Sequence, residues 1–149
     1  MARQNRATHK LKKGIKMNIQ IMQLVIALAA VETGGHPNPP QAIGDGGRSV
    51  GILQISKAVV DDVNNFKGYH YTYEDRTDVE SSVEICIFYL DHWGNHYTKK
   101  TGKPADVRTL AQIWNGGALA WKKTDPKVVK NLTDYWNKVR FELIKKGVL

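Results

Sequence analysis

The sequence predicts an α+β fold, mainly α, with a buried central helix near the N-terminus and a small β-hairpin or sheet beside it. Three observations predict this. From Ile19 to Val31 apolar residues face almost every direction, so a helix there has no wet side and belongs inside a domain. The glycine-spaced run from Ala42 to Ile55 holds the turn dipeptide Asp45-Gly46 between Ile43 and the apolar residues Val50, Ile52 and Ile55. Beyond residue 56, apolar residues return at helical spacing to the C-terminus.

With 149 residues the chain reads as one domain, residues 17–149, behind a basic tail at 1–16. The formal net charge of +8 suits a polyanionic partner: nucleic acid, an anionic membrane, or a bacterial wall bearing acidic polymers. The tail carries Arg3, Arg6, Lys10, Lys12, Lys13 and Lys16 and no acid. It is a candidate for docking on a polyanion or a larger particle, or else a solubilising arm, and Met17 is a candidate internal start. A basic stretch before an apolar run imitates a signal peptide. Gln20 and Gln23 interrupt that run, and Ala-x-Ala cleavage would remove the helix that bears Glu32. The run is also shorter than the ~20 apolar residues of a membrane span. Cys86 is the single cysteine, so no intrachain disulfide forms and packing alone must hold the fold.

In order along the chain, Thr33-Gly34-Gly35 stops the first helix. Glu32 then sits at the helix C-terminus, whose partial negative charge disfavours a carboxylate, and apolar surroundings act in the same direction. Both would raise its pKa, as a general acid near neutral pH requires; on the helix alone, a solvated helix-end residue is the alternative reading. Pro37, Pro39 and Pro40 make an extended loop. The glycine-rich run is no phosphate loop, lacking both GxxxxGK[ST] and GxGxxG. Ser56 caps a helix with Val59, Val60 and Val63 inward, and Asp61 and Asp62 face water. Tyr69, Tyr71 and Tyr73 lie on a loop they are expected to pin to the core. Thr77-x-x-Glu80 reads as a capping box ahead of the stripe Val79, Val83, Cys86, Leu90 and Trp93. His92 and His96 stand four apart, but no third ligand completes a zinc pattern. No metal or other cofactor is expected. Asp106 caps a helix with Val107, Leu110, Ala111 and Trp114 on one face. Asp125-Pro126 opens the last helix, with Val129, Leu132, Trp136, Val139 and Leu143 inward.

Four segments, in order, resemble the lytic transglycosylase and goose-type lysozyme superfamily. Glu32-Thr33-Gly34-Gly35-His36-Pro37-Asn38-Pro39 with Ser49-Val50-Gly51-Ile52-Leu53-Gln54-Ile55 resembles its first motif. The helix around Cys86 resembles the second. Ile113-Trp114-Asn115-Gly116-Gly117 resembles the Ala-Tyr-Asn-Ala-Gly motif, and Tyr135-Trp136-Asn137-Lys138-Val139 the Tyr-Val-x-x-Val motif. The Glu-Thr that usually precedes that tyrosine is absent; Asn131 and Leu132 stand there. The Ile-Gly-Asp-Gly-x-x-Ser-x-Gly run also resembles invertebrate-type lysozymes, where an Asp in this region pairs with the Glu.

The resemblance implies a lysozyme-like fold and cleavage of the β-1,4 bond between N-acetylmuramic acid and N-acetylglucosamine in peptidoglycan. Glu32 is the implied general acid, and Asp45 the candidate second carboxylate, unless it only makes the turn. Ser49, Gln54, Trp114, Asn115 and Tyr135 are the implied substrate-binding residues. A hydrolase needs the second acid; a lytic transglycosylase does not, because the substrate's own hydroxyl attacks. The expected setting is a phage lysis or virion-borne enzyme, made in the host cytoplasm and acting at the wall, with a bacterial wall-remodelling enzyme second. The rival reading is a non-catalytic basic structural or nucleic-acid-binding protein in a lysozyme-like shell, for which salt-sensitive DNA binding through the tail would speak.

Overall fold

The structure, a computed structural model, describes residues 19–149; the tail at 1–16 and Met17 lie outside the described residues. The chain divides into two compact units, one ending at Tyr89 and the other running from Leu90 to Leu149.

The first unit opens with α1 (Ile19–Thr33). Leu24, Val25, Ala27 and Leu28 are fully buried, while Gln20 is exposed and Ile26 is 48% exposed, so the helix has an outward side that its near all-round apolarity did not foresee. Next come β1 (Ile43–Gly44) and β2 (Ser49–Val50), antiparallel, with Ile43 opposite Val50 and Gly44 opposite Ser49. A bridge from Val50 to Ile55 extends the pairing. The turn between the strands is left-handed at Asp45, Gly46 and Gly47 (φ 51°, 65° and 94°). Asp is among the few side-chain-bearing residues that enter this region readily.

Helix α2 (Lys57–Lys67) starts at Ser56, whose Oγ accepts from Val59 N at 3.3 Å, and ends at Gly68 (φ 63°). Val60 and Val63 face the core. Helix α3 (Val79–Thr101) begins one residue later than the capping box implied. Its cap is Asp78, whose Oδ2 accepts from Ser81 N at 2.8 Å. Thr77 instead closes a 3-10 turn, donating to Glu74 O at 2.8 Å.

The loop between α2 and α3 is pinned by its aromatics. Tyr69 packs on Phe88 at 4.7 Å between ring centroids, and Tyr71 donates its hydroxyl to Glu84 Oε2 at 2.6 Å. Asn64 clasps the Tyr71 backbone through both its amide atoms. Burial, and then the bond to Glu84, push the Tyr71 phenol far up, so it stays a neutral donor. Arg76 is buried beneath the hairpin, donating to Tyr73 O (2.8 Å) and Ile55 O (3.1 Å).

The second unit contains the end of α3, α4 (Val107–Gly116) and α5 (Pro126–Lys145), with α4 packed on α5. Both expected caps form. Asp106 accepts from Thr109 N at 2.8 Å, and Asp125 from Lys127 N and Val128 N at 2.9 and 3.1 Å. Leu132, Tyr135, Trp136, Val139 and Leu143 make the buried face of α5. Val129, expected on that face, is 41% exposed, because it lies in the opening turn before the first core contact at Leu132. Among the described residues no helix is long and apolar enough to cross a membrane.

Candidate active site

Glu32 occupies the last turn of α1, where Gly34 N donates back to Ala30 O at 2.9 Å and so ends the helix. The side chain is half-buried rather than sealed from water. Its neighbour Thr33 is buried and donates its hydroxyl to Ile52 O at 2.8 Å. That bond ties the acid-bearing helix end to the glycine-rich segment. Cys86, on α3, is fully buried close enough to Glu32 to respond to its charge. Burial first, and Glu32 second, push the thiol well up, so Cys86 presents a neutral group to the acid.

The hairpin holds its own polar groups. Ser49, buried, donates to Asp45 Oδ2 at 2.6 Å. Asp45 is exposed, and its Oδ1 carries no hydrogen bond among the described residues. Arg48 Nε donates to Asp45 O at 2.9 Å and helps fix the left-handed turn. Gln54, itself left-handed at φ 51°, donates Nε2 to Gly51 O (3.0 Å) and Ala42 O (3.3 Å). Ser49 and Gln54, expected to bind N-acetyl groups, thus use these donors inside the hairpin. Their observed work is to set the position of Asp45 and the shape of the 42–54 segment.

In the second unit, Asn115 lies exposed in the last turn of α4, before the left-handed Gly117 (φ 94°), and its amide makes no hydrogen bond among the described residues. Trp114 beside it is half-buried, and Tyr135 on α5 is buried. His92 and His96 each meet Trp93 edge-on, at 4.8 and 5.4 Å between ring centroids. No group of metal-ligating residues is found among the described residues.

The family model described as transglycosylase SLT domain matches residues 11–136, most of the chain. The chain belongs to the transglycosylase SLT family. A search of curated proteins gave no match. For an SLT domain the substrate is peptidoglycan and the reaction is cleavage of a glycosidic bond. The mainly helical architecture with one small antiparallel sheet agrees with that fold.

Two features of the first unit are not readable from the sequence. The pair of buried Glu84 with half-buried Tyr71 had one signal, an acid inside the apolar stretch Val83–Phe88. The closeness of Cys86 to Glu32 had none, because a cysteine on a core stripe looks the same whatever it faces.

The hairpin also predicts a coupled pair. A methyl added at Gly44 would collide with Gln54 Oε1, and the Gln54 amide is tethered by two carbonyls. Gly44→Ala is therefore expected to cost about 1–2 kcal/mol through those bonds. In a Gln54→Ala background the same change should cost little, giving a coupling of about 1 kcal/mol in a double-mutant cycle by urea unfolding. Additive costs would contradict this arrangement.

Proposed function

We propose that this SLT domain cleaves the β-1,4 bond between N-acetylmuramic acid and N-acetylglucosamine, with Glu32 giving its proton to the leaving oxygen and then acting as base. The observation that supports this reading is the Thr33–Ile52 bond, which ties the helix end carrying the half-buried Glu32 to the glycine-rich segment that also carries Asp45. With Oδ2 occupied by Ser49 and Oδ1 without a hydrogen bond among the described residues, Asp45 is suited to steady the oxocarbenium-like centre or to hold a water. Asn115, exposed at a helix end with its amide unbonded among the described residues, suits a sugar N-acetyl or hydroxyl group. Trp114 and Tyr135 are the aromatic partners that the resemblance assigns to substrate. A phage lysis or virion-borne role is the setting we favour, and a net charge of +8 suits a wall carrying acidic polymers.

Mass spectrometry of muropeptides released from purified peptidoglycan tests the reading. Cleaved disaccharide units are expected, and no release at all would overturn it. The ends then separate two mechanisms. If the muramic acid C6 hydroxyl attacks C1, Glu32 takes that hydroxyl's proton and 1,6-anhydro ends result; Asp45→Asn then lowers the rate by less than about tenfold. If water attacks, reducing ends result and Asp45→Asn lowers the rate by roughly a hundredfold or more.

A further inference from the structure

Charge is divided sharply between the two units. Residues 19–89 hold four Lys and Arg against nine Asp and Glu, whereas residues 90–149 hold twelve against five. The basic excess of the described chain therefore belongs to the second unit. On α5 the face opposite the buried stripe presents Lys127, Lys130, Asp134, Lys138, Phe141 and Lys145 at helical spacing, all exposed. Lys130 is paired with Asp134 at 2.7 Å. Towards the C-terminal end the face changes character. Phe141 is 61% exposed and its neighbour Ile144 46%, with the Lys145 Nζ 5.1 Å from the Phe141 ring centroid. Lys145 also reaches Glu142 at 3.0 Å yet remains half in water.

We propose that the outer face of α5 around Phe141 docks on a bilayer surface bearing anionic headgroups. A soluble polyanion would account for the lysines but gains nothing from two large apolar side chains set in water between them. A membrane interface takes both: apolar side chains enter the headgroup boundary while cations meet the anionic lipid. Lys138 and Lys145, one on either side of Phe141 along the helix, are placed to do so together. The helix lies along the surface and does not span it, in keeping with its charge and alternation.

Cosedimentation of the full chain with vesicles tests this, using phosphatidylglycerol mixed with phosphatidylcholine against phosphatidylcholine alone. Binding to the anionic vesicles only is expected. Phe141→Ala with Ile144→Ala should weaken it roughly tenfold. Lys138→Gln with Lys145→Gln should weaken it about 30-fold. Both double variants should keep the parent's melting temperature and its rate on purified peptidoglycan, which contains no lipid. Neutralising the six basic residues of the 1–16 tail should leave the dependence on Phe141 and Ile144 intact. Absence of binding overturns the proposal. So does binding that ignores the α5 variants and disappears with the tail charges. Binding that needs the lysines but not Phe141 and Ile144, and is fully competed by soluble polyphosphate, overturns it in favour of a soluble polyanion site.

Discussion

Replacing Glu32 with glutamine is expected to lower the rate of glycan cleavage by roughly a hundred- to ten-thousand-fold, the span that a positioned acid–base group contributes. The amide keeps the size and nearly the shape of the carboxyl, so α1 and the Thr33–Ile52 bond should survive. What it cannot do is release a proton to the leaving oxygen. Any change in stability is read separately from the change in rate. Clearing of a wall suspension and a thermal melt, run on the same preparations, separate the two effects. A variant that melts like the parent and still clears walls at a rate within about threefold of it would remove Glu32 from the chemistry. A variant that neither clears nor folds would say nothing of the acid, which is why the melt is part of the measurement.

The features legible in the sequence are those whose causes are local. Ser56, Asp106 and Asp125 each cap a helix two or three residues away, and each was readable from residue type and spacing. The stop at Thr33-Gly34 and the turn at Asp45-Gly46 were readable for the same reason. Where two neighbours can do the same job, the sequence underdetermines the outcome: Thr77 and Asp78 can both cap α3, and the 3-10 turn that engages Thr77 leaves Asp78 to do it. Contacts between distant residues were not legible. Arg76 with Ile55 and Tyr71 with Glu84 depend on how elements meet, which periodicity does not encode. The same limit applies to the hairpin polar groups. Ser49 and Gln54 stand where a substrate-binding role would be read from the motif, yet their donors are directed by backbone geometry within the segment.

That geometry makes Gly51→Ala the substitution with the largest expected effect on folding. Gly51 is left-handed at φ 85°, which costs a side-chain-bearing residue roughly 1–2 kcal/mol. Its missing Cβ also leaves room for a backbone: a methyl there would run into the carbonyl of Arg76. A carbonyl cannot rotate away as a side chain can, and this one is held by the Ser82 hydroxyl at 2.8 Å. Moving it disturbs the turn that seats Arg76, whose guanidinium in turn supports Ile55 O. Moving Gly51 instead strains its own bond to Ala42 O (2.9 Å) and the two that Gln54 makes to Gly51 O. Either route adds an overpacking cost of about 1–3 kcal/mol to the conformational one. A total of about 2–5 kcal/mol is a large part of the 5–15 kcal/mol typical of a domain, and it should lower the melting temperature by about 10 °C. Gly46→Ala isolates the first component. Gly46 is also left-handed, at φ 65°, but an added methyl meets nothing within 4 Å, so only the ~1–2 kcal/mol of backbone strain is expected. Equal melting temperatures for the two variants would show that the Arg76 carbonyl does not confine Gly51, and the hairpin would then lack the support beneath it on which the placing of Asp45 depends.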